Sequence, residues 1–313
     1  MLYQPTYDIL LLLKIDNMSS PKKILYLVVG GHGSQPFMDT WTDGNLEIEH
    51  DLVFNVVDSG GHTGFLTTLF PNLLPLGDLR NNIANLLELS AEKQNSKLLD
   101  ELAHLFNQRI VFNKFPELLK GVDLVLDILG PGDEIRNIVN QFTQEYIQKC
   151  NAMDLNQGIK HSLGNIFLGA LQNQGTDFMK RSLKDLGLIP PNLNIYFLHH
   201  ERLQLIATDT KGIRITGEAA IDVSTNPIHP SDFQLIDFKG HKITEGDISQ
   251  EIVNLIMESN GIFIPSGSFE NSYPALALFS EYLRERHCEM LRIVNATVYG
   301  KDVTFVEEMM YLN

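Results

Sequence analysis

The chain has 313 residues, 43% of them hydrophobic and 20% charged, enough for one large domain or two modest ones and too apolar for a disordered chain. Its formal net charge of −15, with no basic run to offset it, argues against a nucleic-acid partner. A phosphorylated small molecule is not excluded, because backbone amides hold anions without lysines.

The first apolar run, Ile9 to Leu13, lies between Asp8 and Lys14. It is far shorter than the roughly 20 apolar residues of a membrane span, and no small-residue cleavage site follows it. The two cysteines, Cys150 and Cys288, have no CxxC spacing, which suits a reducing compartment. A cytoplasmic protein with no membrane partner is expected, with residues 1–17 as an extension preceding the first strand.

Ile24–Val29 is a continuous apolar strand that runs into Gly30-Gly31-His32-Gly33-Ser34. Leu52–Val57 repeats the pattern and ends in Asp58-Ser59-Gly60-Gly61-His62-Thr63-Gly64. Gly77-Asp78-Leu79-Arg80-Asn81 opens a helix to about Lys93, with Leu79, Ile83, Leu86 and Leu87 on one face. Residues 94–160 read as a helical insert broken at Gly130-Pro131-Gly132, and a long helix follows Lys160-His161-Ser162-Leu163-Gly164-Asn165. Strands are expected at Asn194–His200 and Leu203–Thr208, with a β excursion over Ile213–Ile221. Gly261–Ile264 runs into Pro265-Ser266-Gly267-Ser268, a helix extends to about Arg286, and Leu291–Asn295 is a final strand. Strands alternating with helices imply an α/β fold, a mostly parallel sheet flanked by helices.

Three glycine- or serine-rich turns thus follow three apolar strands, and in an open parallel sheet such loops gather in one crevice. None is a nucleotide motif: GxxxxGK[ST] is absent, and Gly30-Gly31-His32-Gly33 does not fit GxGxxG. Asp58 is placed either to hold a metal ion, Mg²⁺ being the candidate, or to cap its own turn. Asp78 is a candidate N-cap, and Arg80 and Asn81 stand to touch a ligand or to brace the neighbouring loop. Lys160, His161, Ser162 and Asn165 bring more polar groups to a helix start than capping needs. No GxSxG elbow supports a hydrolytic triad, and His199-His200 lacks zinc partners at ligand spacing.

In this order the turns resemble the CofD-like family, which joins 2-phospho-L-lactate transferase and the bacterial gluconeogenesis factor. The bacterial branch reads GGGTG, ADDGGSSG, PPGDIRN, GHSLGN and LGPGSLYTSI; here the corresponding stretches are residues 30–34, 57–64, 75–81, 160–165 and 264–272. The resemblance spans about residues 24–295, and Leu203–Ile221, with Gly217-Glu218, resembles the family's strand pair before its GES segment. It implies a Rossmann-like core in one unit over 18–313, with the insert at about 94–160. It further implies a site at the strand ends for a nucleotide-type phosphorylated ligand. A homodimer is allowed for independently of the resemblance. The family's paired acids become Asp58-Ser59, so one candidate metal ligand is missing.

Two functions follow from the resemblance. In the first, the protein binds a nucleotide-diphosphate sugar or related metabolite in a regulatory role in carbon or cell-envelope metabolism. Gly30, Gly31, His32, Gly33 and Ser34, with Ser266, Gly267 and Ser268, would cradle phosphate, and Asp58, Asn81 and Asn165 would orient hydroxyls. Ser59, Gly60, Gly61, Thr63, Asp78, Arg80, His161, Ser162 and Asn271 complete the expected binding set. In the second, it is a Mg²⁺-dependent transferase in which Asp58 holds the metal and Lys160 or Arg80 neutralises developing charge.

Overall fold

The computed structural model describes residues 22–30, 38–42, 48–111, 114–153, 160–222, 224, 228, 232–265, 275–285 and 289–292. Its centre is β1 (Lys22–Val29), buried from Ile24 onward because both faces are covered. Beside it runs β2 (Ile48–Phe54), four residues earlier at its start than the apolar pattern suggests. The polar residues His50 and Asp51 hide that part of the strand. Both are buried: His50 Nδ1 lies 3.2 Å from Tyr26 Oη, and Asp51 Oδ1 accepts from Asn194 Nδ2 at 2.8 Å.

The insert holds more than helices. A short helix α1 (Met38–Trp41) precedes β2, and α2 (Gly61–Leu69), α3 (Gly77–Gln94) and α4 (Lys97–Asn107) follow it. Then β3 (Arg109–Val111) leads into α5 (Phe115–Leu129) and α6 (Asp133–Ala152), and β4 (Lys160–Ser162) returns antiparallel to β3, pairing Val111 with Lys160 and Arg109 with Ser162. The helix after it, α7 (Leu163–Gln172), is ten residues long and buried at every position. It is shorter than the sequence suggests, because Lys160–Ser162 is committed to the strand pair and Ser162 serves as N-cap, accepting from Asn165 N–H at 3.4 Å. The helix α8 (Thr176–Asp185) then begins after Gly175, whose φ of +115° is open to glycine.

The sheet grows from β5 (Leu193–Phe197) on one edge to β9 (Gly261–Ile264) and β10 (Glu289–Arg292) on the other, in the order β10-β9-β1-β2-β5, and every pair is parallel. Between β5 and β9 the chain builds a three-stranded antiparallel sheet of β6 (Gln204–Thr208), β7 (Arg214–Thr216) and β8 (Gln234–Ile236). The β excursion expected over 213–221 therefore ends at Thr216, where Gly217 turns with φ +91° into the short helix α9 (Glu218–Asp222). The helices α10 (Gln250–Glu258) and α11 (Ser280–Glu285) flank β9 in sequence. One apolar cluster runs from Ile24 to Leu283 and joins sheet and helices. This is an α/β, Rossmann-like arrangement, and its strand order reverses between β1 and β9, the position where open α/β sheets bind ligands.

Candidate functional site

The loop after β2 is folded by its own residues. Asp58 Oδ1 accepts the N–H of Gly60 at 2.9 Å, so this carboxylate does close its turn. Gly61 takes φ +49°, and Gly64 passes so close that an added Cβ would stand 2.0 Å from the Ser59 carbonyl oxygen. From outside, Glu218 Oε2 accepts the Ser59 N–H at 3.3 Å.

One helix begins on this loop and a second begins beside it. The N-cap of α2 is Gly60 and that of α3 is Leu76, and neither end carries a side-chain cap, so their first N–H groups and dipoles are turned to what lies in front. Asp78 is not the N-cap that the sequence suggests. It lies inside the first turn of α3 because the helix starts at Gly77. Gly77 brings α3 against the loop, since a Cβ there would be 2.5 Å from Thr63 Oγ1 and 2.6 Å from Asp58 Oδ2.

In front of both helix ends lies a cavity of about 580 Å³, within the range of small-molecule sites. Asp58, Gly60, Gly61, Thr63, Asp78, Arg80, Asn81 and Lys160 all line it, so eight of the candidate residues come together. His62, Gly77 and Arg109 also line it and were not singled out from the sequence. Arg109 reaches the cavity on β3, whose partner strand β4 carries Lys160.

The electrostatics are mixed. Burial pushes the Asp58 carboxyl above the usual range, opposed by the Gly60 N–H, the Thr63 hydroxyl, and the charges of Arg202 and Arg80. Burial and the neighbouring Arg109 bring Arg80 down to about 10. The Arg80 Nη1 donates to Asn107 Oδ1 at 2.6 Å, while its buried Nε has no partner among the described residues. Gly164 makes room for this arginine: a Cβ there would lie 2.6 Å from Arg80 Cγ and 2.8 Å from the Phe106 carbonyl oxygen.

With this geometry in hand, the sequence matches the family described as 2-phospho-L-lactate transferase CofD over residues 26–305. The chain belongs to this family. Two crystal structures of a UPF0052-family protein from Bacillus halodurans have the same fold, at 17% and 18% identity and TM-scores of 0.58 and 0.57. Each comparison covers 88% of this chain, and 69% and 70% of the other. No sequence match was found among the curated proteins.

Other candidate residues of this CofD-family chain stand behind the wall. His161 is fully buried, its Nδ1 2.6 Å from Tyr146 Oη, and the same hydroxyl lies 2.9 Å from His62 Nε2. Ser162 caps α7, and Asn165 Nδ2 donates to Thr63 Oγ1 at 3.3 Å. Ser59 is not part of the cavity's lining and its N–H donates to Glu218, and the Gly30 carbonyl accepts from Asn82 Nδ2 at 3.0 Å, tying the end of β1 to α3. Gly31, His32, Gly33, Ser34, Ser266, Gly267, Ser268 and Asn271 lie outside the described residues, as does Cys288. Cys150 is a free, buried thiol.

A Mg²⁺ ion fits the cavity poorly as a protein-held ion. It needs near-octahedral oxygen ligands, and here one Asp58 oxygen is occupied by Gly60 while Arg80 and Arg202 act on the carboxylate. Among the described residues no group of three or more His, Cys, Asp or Glu gathers for a metal, and no helix is long and apolar enough to cross a membrane.

Proposed function

We propose that the cavity binds the phosphate groups of a nucleotide-type metabolite, a nucleotide-diphosphate sugar being the leading class, and that the protein acts as a ligand-responsive regulator of carbon or cell-envelope metabolism. One observation carries this reading. In a chain of net charge −15, Arg80, Arg109 and Lys160 meet two helix N-termini without side-chain caps around a single cavity. Helix N–H groups and guanidinium forks are the donors that phosphate oxygens accept best. The aspartates lining the cavity suit hydroxyls, which donate to carboxylates, so phosphate and sugar have distinct partners.

The test is thermal stabilisation of the purified protein by UDP-sugars and by GDP, each with and without Mg²⁺. A ligand that binds only the folded state must raise the melting temperature. A metal-independent rise with a UDP-sugar supports the proposal. The absence of any rise at millimolar ligand refutes it.

One observation favours a transferase as the second reading. Asp58 is a carboxylate with its affinity for protons raised, facing a cationic cavity, which suits a general base. In that reaction Asp58 would take the proton of an acceptor hydroxyl as its oxygen bonds to phosphorus. The anhydride bond would break, and a nucleoside monophosphate would leave with the electron pair, stabilised by Arg80 and Lys160. Release of nucleoside monophosphate from a nucleoside-diphosphate-linked donor, lost in Asp58→Asn while binding is retained, would move the assignment to this reading.

A further inference from the structure

We infer that His62 is a specificity-determining residue of the cavity, its Nδ1 accepting a hydrogen bond from a ligand hydroxyl, and that Tyr146 is the positioning residue that fixes the ring in the accepting form. The contact deepens the proposed function and rests on it, whereas the arrangement behind the ring does not.

The Tyr146 hydroxyl stands between two imidazoles, 2.6 Å from His161 Nδ1 and 2.9 Å from His62 Nε2. It has one proton, so it donates to one of them and accepts from the other. A donated O–H makes the shorter bond and a donated N–H the longer. The geometry therefore has Tyr146 donating to His161 Nδ1, and His62 Nε2–H donating to Tyr146. A neutral imidazole carries one proton, and with it on Nε2 the lone pair of His62 is on Nδ1.

This Nδ1 is buried and has no hydrogen-bond partner among the described residues, although His62 lines the cavity. A buried acceptor left unpaired is destabilising, so its retention in a cavity wall is explained by a partner that the cavity brings. The ring is not free to turn towards another. Its two nitrogens diverge, and Nε2 is committed to Tyr146 on α6. Tyr146 and His161 stand edge-on to the ring, with centroids 5.8 and 6.1 Å away, and the Phe65 ring lies at 6.3 Å.

Burial above all holds the imidazole down to about 3, so it stays neutral. A base this weak does not take a proton from the ligand, and an uncharged ring does not hold phosphate as an ion pair. It discriminates instead: a site built to bond a hydroxyl rejects the analogue that lacks it. His62 is the second residue of α2, beside the helix N–H groups suited to phosphate oxygens. Phosphate and the hydroxyl next to it are thereby read by different groups.

The test compares His62→Asn, His62→Gln and Tyr146→Phe with the wild type, by calorimetry with whichever of the UDP-sugars and GDP stabilises it. Asn puts an acceptor where Nδ1 stands, whereas Gln puts its amide where Nε2 stands. His62→Gln is expected to lose about tenfold in affinity and His62→Asn no more than about threefold. A merely structural role predicts the reverse order, and that order, or equal losses, would overturn the contact alone. A wild type that binds none of these ligands overturns the proposed function and the contact together. Nitrogen NMR of the ligand-free wild type should show the proton on Nε2 and a bare Nδ1 in both His62 and His161; a proton on His62 Nδ1 overturns the inference. Tyr146→Phe should mix the His62 tautomers and weaken binding severalfold, and an unchanged tautomer removes Tyr146 from the positioning role. Should the His62 variants not fold, ligand titration of the wild type decides: a bare Nδ1 resonance that moves to the hydrogen-bonded range supports the contact, and one that stays overturns it.

Discussion

Lowering the pH from 7 to 5 should destabilise this protein through His62, by an amount the structure fixes. Burial, with Arg109 and Arg80 nearby adding to it, brings this imidazole from 6.5 down to about 3. Neutral His62 is therefore the folded form across the whole range, and the unfolded chain binds the extra proton. Stability from this group is complete above pH 6.5 and is lost progressively as the pH falls from 6.5 towards 3. Between pH 7 and 5 the loss is about 2 kcal/mol, set almost entirely by protonation of the unfolded chain. His50, lowered to about 4 by burial, adds a similar amount. Asp58 and Asp51 work in the opposite sense, because their raised affinity for protons favours the folded state as the pH falls. The clean measurement is a difference: urea unfolding of wild type and His62→Gln at pH 7 and pH 5. The variant should lose about 2 kcal/mol less than the wild type over that interval. Equal losses in the two proteins would refute the buried, neutral imidazole and the network behind it.

Three further outcomes follow from the same geometry. Gly164→Ala should lower stability by about 1–3 kcal/mol in chemical denaturation, because its methyl meets the Phe106 carbonyl and the Arg80 stem. Ser162→Ala should cost about 1 kcal/mol through the lost cap of α7, measured in the same way, without altering the affinity for a cavity ligand. Lys160→Ala combined with Arg109→Ala should weaken GDP or UDP-sugar binding in calorimetry and flatten its dependence on salt, while leaving the melting temperature within a few degrees; an unchanged salt dependence would remove both residues from the site.

Much of this could be read in the residues, for physical reasons. Ile24–Val29 and Gly261–Ile264 are continuous apolar runs, and such runs have few other ways to be buried, so the central strands were legible. The glycine turn at 60–64 was legible because it follows an apolar strand; within it Gly61 takes a positive φ and Gly64 leaves no room for a side chain. Arg109 was not legible. It lies far from Lys160 in sequence, and the short β3–β4 pair that joins them is hidden in a stretch with helical composition. His50 and Asp51 concealed the first half of β2, since polar residues that find buried partners carry no apolar period. Asn165 and His161 have the composition of a ligand site, but their partners, Thr63 and Tyr146, are remote in sequence and only the fold supplies them. Asp78 looked like a cap because an acid before a helix usually is one; the helix began two residues sooner.

The order of the central sheet sets a timetable for synthesis. Strand β1 is made first, yet one of its two neighbours, β9, emerges more than 200 residues later. Until then an apolar strand in the middle of the finished sheet has one edge without its final mate, at a translation rate of about 5–20 residues per second. That interval is on the order of ten seconds or more, during which β1 presents the kind of edge that pairs with other chains. The nascent protein should therefore depend on chaperones most strongly before residue 261 has left the ribosome, and chains truncated before β9 should aggregate although they already contain the loop of Asp58, both helix ends and Lys160.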